Sequence, residues 1–182
     1  MPNYCVNRLL VEGPEDSIKN FICKSFDSEG LFCFEGTVDP NNPPTKEGWK
    51  HKTEILYDDE ESNVWGVNRS PLAFKEYQPV LESSTEKFYI EFSTRWAPPT
   101  IWVLNLLSLN EFSDLQIQLA YCEQGMEYYG HLKANKTGIV EELKGYIGNG
   151  LVLDDKEEDY IVNEKTPFGR FVKKWGFTHF GG

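Results

Sequence analysis

Positive charge, histidine and phosphate-binding motifs are all scarce in this sequence, and each shortage narrows what the chain can do. Its 182 residues hold 18 Lys and Arg against 29 Asp and Glu, a formal net charge of −11. Affinity for nucleic acid comes largely from cations meeting phosphates, so this balance argues against direct binding to DNA or RNA. There is no G-x-x-x-x-G-K-S/T and no G-x-G-x-x-G, the two glycine patterns that cradle phosphates. Gly148-Asn149-Gly150 is too short and runs into an acidic stretch, so it reads as a turn. The three histidines, His51, His131 and His179, are scattered and lack a G-x-S-x-G or papain-like setting, which leaves nucleophilic catalysis without a candidate. The four cysteines, Cys5, Cys23, Cys33 and Cys122, form no C-x-x-C pair, and three lie in apolar stretches where free cysteine behaves as a small buried hydrophobe. No apolar run approaches the roughly 18 residues of a membrane span, and Met1-Pro2-Asn3-Tyr4 lacks the basic and apolar regions of a signal peptide. Together these predict a protein of the reducing cytosol, with no disulfide, membrane contact or cofactor required.

What is present is aromatic and acidic. Five Trp, nine Tyr and twelve Phe are a heavy load for this length. Such rings fill cores, and Trp and Tyr also favour binding surfaces. An acidic chain suits basic partners, including nucleic-acid-binding proteins whose phosphate-facing surface it would occupy. The plainer reading is that the charge keeps the protein soluble.

Residues 4–12 alternate as a strand, with Cys5, Asn7, Leu9 and Val11 facing one way and Val6, Arg8, Leu10 and Glu12 the other. Gly13-Pro14-Glu15-Asp16 turns into a helix predicted over 15–26 from the spacing of Ile18, Phe21, Ile22 and Ser25. A short second strand is expected at Leu31-Phe32-Cys33-Phe34. Residues 39–84, rich in Pro, Asn and Gly at their start, read as a long insertion with a short strand at 55–57. Phe88, Ile90 and Phe92 then alternate with Tyr89, Glu91 and Ser93 in a clear strand over 87–95. Ala97-Pro98-Pro99-Thr100 opens a second helix, predicted to bury Ile101, Leu104, Leu107 and Leu109. Leu115 to Tyr121 alternate again, and Glu123-Gln124-Gly125 turns into a hairpin partner over 126–133. The order is βαββαβ with an extra edge strand, an α+β pattern of ferredoxin-like type. It puts strands 4–12 and 87–95 in the centre and leaves Arg8, Tyr89, Glu91, Ser93, Gln116 and Gln118 on an open face. Two units follow: residues 1–133 as the ferredoxin-like domain, and 134–182 as a helical extension packed on it. The extension is expected to carry helices over 137–146 and around Phe168, Phe171, Val172 and Trp175.

The opening Met1-Pro2-Asn3-Tyr4-Cys5-Val6-Asn7-Arg8-Leu9 resembles that of the Api92-like, or YubB-type ferredoxin-domain, proteins. Phe92-Ser93-Thr94-Arg95-Trp96-Ala97-Pro98-Pro99, Tyr121-Cys122-Glu123-Gln124-Gly125 and Tyr129-Gly130 follow in the same order, so the resemblance spans about residues 1–133. It implies a ferredoxin-like fold and a home on bacterial plasmids or phages, and it implies no reaction. The family tends to carry an Asn-Trp-Gly-Thr-Lys-Trp-like segment before its third core strand. The nearest match here is Val64-Trp65-Gly66-Val67-Asn68-Arg69, without the second Trp.

Several residues are candidates for binding. Trp65, Arg69, Arg95 and Trp96 combine the two residue types commonest at interface hot spots. The acidic runs Asp58-Asp59-Glu60-Glu61 and Asp154-Asp155, the latter continuing to Asp159, are solvated turns on the plain reading and a phosphate-imitating surface on the sharper one. Zinc needs four ligands in tight geometry. Cys5 and Cys122 on adjacent strands, with Glu123 and His131 nearby, fall short of that, so no metal is assigned. The expected function is non-enzymatic: a phage or plasmid protein that inhibits a host defence protein through acidic and aromatic contacts in the bacterial cytoplasm. The alternative is a small-ligand binder that sequesters a nucleotide signal in an aromatic pocket formed by Trp65, Trp96 or Tyr128.

Overall fold

A computed structural model describes residues 3–52, 60–67, 71, 82–83, 86–154 and 159–180. The fold is a mixed α+β arrangement around one antiparallel sheet. Its strands are β1 (Tyr4–Glu12), β2 (Glu82–Ser83), β3 (Lys87–Arg95), β4 (Gln116–Glu123), β5 (Tyr128–Asn135) and β6 (Gly138–Tyr146). They lie in the order β2-β3-β1-β4-β5-β6. The alternation read along 4–12 is the reason β1 sits inside the sheet, since both of its faces are apolar enough to bury. Leu9 faces Ile90 of β3 on one side and Leu119 of β4 on the other, and all three are fully buried.

One face of the sheet is covered by α1 (Glu15–Lys24) and α3 (Thr100–Ser108). Pro14 stands at the start of α1, with Glu15 and Asp16 in its first turn and Lys24 in its last, the arrangement that complements the helix dipole. Ile18 and Phe21 go into the core, where the Phe21 ring meets Phe88 edge-on at 5.5 Å and Phe112 at 6.3 Å. α3 is rotated from the predicted stripe. Its buried residues are Trp102, Val103, Asn105, Leu106 and Leu107, while Ile101 and Leu104 are only half-buried. The sequence of α3 is apolar nearly all round, so spacing alone does not set its phase. The phase is set by Trp102 and Asn105, which bond the segment before it.

That segment is held by its polar atoms rather than by regular structure. The strand expected at 31–34 is reduced to a single bridge between Phe26 and Phe32. Phe34 stacks on Trp102 with ring centres 4.4 Å apart. Three indole N–H groups then fasten the chain: Trp102 donates to the Thr37 hydroxyl at 3.0 Å, Trp65 to the Val38 carbonyl at 2.8 Å, and Trp49 to the Asp39 carbonyl at 3.0 Å. Asn105 completes the clasp. Its amide donates to the carbonyls of His51 (2.7 Å) and Val64 (2.8 Å), and its oxygen accepts from the His51 N–H (2.8 Å). Val64 and Trp65 belong to α2 (Glu60–Trp65), which packs on α3. The described part of the predicted insertion therefore contributes to the core through Trp49, Val64, Trp65 and Val67, all buried, while residues 41–47 are exposed. The strand predicted at 55–57 lies outside the described residues.

The opposite face is not open as the sequence reading expected. It is covered at one end by α4 (Pro167–Trp175), which lays Phe168, Phe171 and Val172 against Val6, Ala120, Cys122 and Tyr129. α4 is capped as its sequence indicates. The Thr166 hydroxyl accepts from the Gly169 N–H, Pro167 takes the first helical position, and Gly176 ends the helix in the left-handed region at φ 70. A side chain at Gly176 would also meet the Arg8 guanidinium at 2.8 Å. Arg8 bonds Glu91 at 2.5 Å, donates to the Trp175 carbonyl, and lies over the Phe177 ring at 5.0 Å. Two of the residues assigned to an open face thus form a largely buried ion pair that receives the C-terminal segment.

The helix predicted over 137–146 is corrected to strand β6. Ile139, Leu143 and Tyr146 have helical spacing, but Asn135-Lys136-Thr137-Gly138 forms a hairpin turn. There the Thr137 N–H bonds the Asn135 side chain at 2.8 Å and Gly138 adopts φ 115, a conformation suited to glycine. Pairing with β5 then supplies the hydrogen bonds. The extension is consequently one edge strand, a separate hairpin of β7 (Leu151–Asp154) and β8 (Asp159–Val162), and one helix. No helix among the described residues is long and apolar enough to cross a membrane.

Two measurements follow from this packing. Asn105→Ala leaves two carbonyls and one N–H without partners in the core, so a loss of about 3 kcal/mol is expected in urea unfolding, with amide protection falling first at residues 49–51 and 64–65. The second concerns pH. Burial pushes the His131 imidazole below its ordinary value, with Glu141 opposing and Lys174 adding to the shift, and burial does the same to His51 beside Lys50. Histidines in the unfolded chain bind protons near pH ~6.5 while the native ones resist, so the unfolded state holds more protons and stability falls as pH drops from about 7 to 5. Glu12 and Glu111, held below the usual 4.5 chiefly by hydrogen bonds from Lys87 and Lys24, add a separate loss at lower pH as they are protonated. The double substitution His51→Gln, His131→Gln should flatten the first limb of a stability–pH profile and leave the second.

Candidate protein-binding surface

The chain leaves β3 through a bend locked by short bonds. The Asn7 amide donates to the Thr94 hydroxyl at 2.8 Å, which in turn donates to the Ala97 carbonyl at 2.6 Å. The Trp96 N–H bonds the Asn3 carbonyl at 3.0 Å, and the Trp96 carbonyl accepts from the Tyr128 hydroxyl at 2.6 Å. Both peptide groups of Trp96 are thereby fixed, with the residue at φ 67. A bulky non-glycine residue in the left-handed region is strained by roughly 1–3 kcal/mol. The side chain so positioned is 45 % exposed, a large indole held outward rather than folded into the core.

The neighbouring β4–β5 turn is built in the same manner. Glu123 is fully buried, and its carboxylate accepts the N–H groups of Gly125 (2.9 Å) and Met126 (2.5 Å). Gly125 packs so closely on the Asn3 side chain that a Cβ there would collide with it, so this turn and the Trp96 bend share a neighbour. Met126 is more than half exposed at the tip. Tyr128 stands opposite Tyr146 in the ladder, and Tyr146 is the most exposed of the large apolar side chains among the described residues. Trp96, Met126, Tyr128 and Tyr146 therefore gather at one end of the sheet.

Burial favours the neutral forms of three groups beneath this end, Cys5, Tyr121 and Tyr128. Burial pushes the Cys5 thiol far above its ordinary value, and burial does the same to the Tyr128 phenol, with Cys5 adding to the shift. Tyr121 rises to about 12, first by burial and then through Glu142. A thiol so placed supplies no thiolate, the form that acts as nucleophile or metal ligand. Cys122 is likewise raised by burial. It is paired in register beside Val6, and Val6 and Cys122 face α4 while Cys5 faces the helix-side core. The two cysteines that the sequence places near one another thus point to opposite faces. No group of three or more His, Cys, Asp or Glu among the described residues is placed to hold a metal ion.

The sequence-derived candidates separate. Trp96 is exposed and adjoins Arg95, whose Nε is buried without a hydrogen-bond partner. Trp65 is fully buried with its N–H satisfied, so it presents nothing to a partner or to a stacking base. Glu60 and Glu61 begin α2, and Asp154 ends β7. Asp58, Asp59, Arg69 and Asp155 lie outside the described residues. A groove of about 750 Å³ runs between residues 44–50 and 108–111. Its lining sets Glu47 and Glu111 against one cation, Lys50, and Trp49 there is almost wholly buried, so it offers no exposed ring to a stacked base.

No family model, curated protein or solved structure matches the chain.

Met126 and Tyr146 were absent from the sequence-derived set. The sequence pattern puts Met126 first in the hairpin strand 126–133, whereas the strand begins at Tyr128, and Tyr146 was hidden by the helical reading of its segment. A strained, outward Trp96 makes a distinct prediction. Trp96→Gly should unfold at a denaturant concentration equal to or above that of the parent chain, because glycine accepts this φ freely, and Trp96→Ala should lie about 1 kcal/mol below the glycine variant. A tryptophan that held the core together would instead cost roughly 3–5 kcal/mol on truncation.

Proposed function

We propose that this chain is a non-enzymatic binding protein whose contact surface is the sheet end that carries Trp96. The carrying observation is the combination at Trp96 of backbone strain with side-chain exposure. A fold that spends free energy to hold an indole in water is accounted for when a partner removes that indole from water. Met126 and Tyr146 enlarge the apolar contact, and the net charge of −11 favours a basic partner.

The finer reading is a ferredoxin-like protein of the Api92-like type, carried by a phage or plasmid and acting in the bacterial cytoplasm on a host defence protein, with a nucleic-acid-binding component as the best fit to its charge. Two features support the fold part. The strands 116–123, 4–12, 87–95 and 82–83 are neighbours in that order and antiparallel throughout, as a ferredoxin-like sheet requires, and α1 and α3 both lie on one face. The inhibitor part rests on the family resemblance and on the acidic charge.

The test is affinity capture from a bacterial host extract with the full chain and its Trp96→Gly variant, followed by mass spectrometry of proteins and released small molecules. A stoichiometric host protein held by the parent and lost from the variant is the expected result, with the retained amount falling as salt is raised. Equal capture by both chains, or a released nucleotide with no protein partner, overturns it.

A further inference from the structure

Strand β6 is unusual in being exposed on both faces. Residues 139–144 and Tyr146 are all exposed, and Ile139, Val140, Leu143 and Tyr146 are large apolar side chains among them. β6 is also the outer strand of the sheet, so among the described residues one row of its backbone N–H and C=O groups has no ladder partner. A long edge with apolar side chains is a template for another strand. Protection of the edge is partial: a register shift interrupts the ladder opposite Val140, and Glu141, Glu142 and Lys144 place charges along it.

Those charges select a partner. We propose that β6 pairs antiparallel with β6 of a second copy of this chain, about a two-fold axis passing through Leu143. A two-fold pairing that continues the sheet must set residues of the same face opposite one another, which leaves only registers centred on a single residue. Centred on Leu143, the two leucines meet on the axis. Glu142 of each copy then faces Lys144 of the other, giving two equivalent ion pairs, and Val140 faces Tyr146 on both sides. Glu142 and Lys144 already share a face, since they bond within the strand at 2.9 Å. The neighbouring registers are opposed by charge. Centring on Glu141 or Glu142 brings two carboxylates together on the axis, and centring on Lys144 brings two ammonium groups together. Opposite charges directly across a ladder stabilise and like charges destabilise, by roughly 0.2–1 kcal/mol per pair. The charges that protect this edge against indiscriminate pairing therefore oppose the adjacent registers and favour the one centred on Leu143, which gains two opposite-charge pairs. Two six-stranded sheets join into one continuous sheet, and the exposed side chains of β6 become cross-strand contacts. Trp96 and Met126 are not part of β6 and remain available, while Tyr146 belongs to both contacts; the charge reversals at Glu142 and Lys144 leave Trp96 untouched, so this inference and the proposed host contact fail separately.

The experiment is sedimentation of the purified full chain at up to about 100 µM, a range that detects weak self-association, with four variants. The parent is expected as a dimer of 21.0 kDa chains. Glu142→Lys alone and Lys144→Glu alone each set like charges across the axis and should weaken the dimer at least about tenfold, as should Leu143→Lys. The exchange of both, Glu142→Lys with Lys144→Glu, restores opposite charges in this register only and should return the dimer. All three positions are exposed, so circular dichroism is expected to be unchanged in every variant. A parent chain that stays monomeric across the range overturns the proposal, and so does a dimer that the single charge reversals leave intact or that the double exchange fails to restore.

Discussion

Arg8 is the residue on which both halves of the chain depend. It stands on a central strand, and its side chain leaves the sheet on the face away from α1 and α3. There it meets Glu91 from β3, the carbonyl at the end of α4, and the ring of Phe177. A charge so enclosed is expensive unless every donor is used. The Glu91 carboxylate takes the Nε–H, the helix C-terminus with its partial negative charge takes an Nη1–H, and the Phe177 face lies against the guanidinium. The contribution is more to specificity than to net stability. The ion pair, at 13 and 14 % exposure, admits one placement of the C-terminal segment, the one in which Gly176 turns away and leaves room for the guanidinium. Once α4 is placed, Phe168, Phe171 and Val172 close a second small core, each worth roughly 1.5–3 kcal/mol in burial.

On the other face, a different economy holds the long segment after α1. It has little regular structure to satisfy its backbone, so side chains do it. Three indole N–H groups and one asparagine carboxamide pair with main-chain carbonyls, a main-chain N–H and a threonine hydroxyl inside an aromatic cluster. Buried polar groups of this kind are costly if left alone and directional when paired. They give an irregular segment a single conformation. They also explain why the high tryptophan content is mostly structural, with Trp49, Trp65 and Trp102 committed to the core and Trp175 half-buried against His131. Trp96 is the exception, and its backbone is as tightly bonded as theirs while its ring is turned outward. That contrast is the physical basis for treating Trp96 as a contact residue. Among the described residues, the large apolar side chains left exposed lie at the sheet end, on β6 and on the β7–β8 hairpin.

Much of this was legible in the sequence, because burial on both faces of a strand, or on one stripe of a helix, leaves a pattern in the order of residues. β1, β3 and β4 follow their period of two almost residue by residue, and α4 carries its threonine cap, its first-turn proline and its terminal glycine in plain view. β6 was illegible for the converse reason. Neither of its faces is buried, so no alternation was imposed on it, and the chance spacing of Ile139, Leu143 and Tyr146 imitated a helix. Composition determined that the chain is acidic, rich in rings, and without a membrane-spanning helix in its described residues. Tertiary structure alone decided which tryptophan faces water, that Cys5 and Cys122 point to opposite faces, and that the face expected to be open receives α4. Each of these depends on register between strands or on hydrogen bonds between residues far apart in the chain, and a one-dimensional pattern holds no information about either.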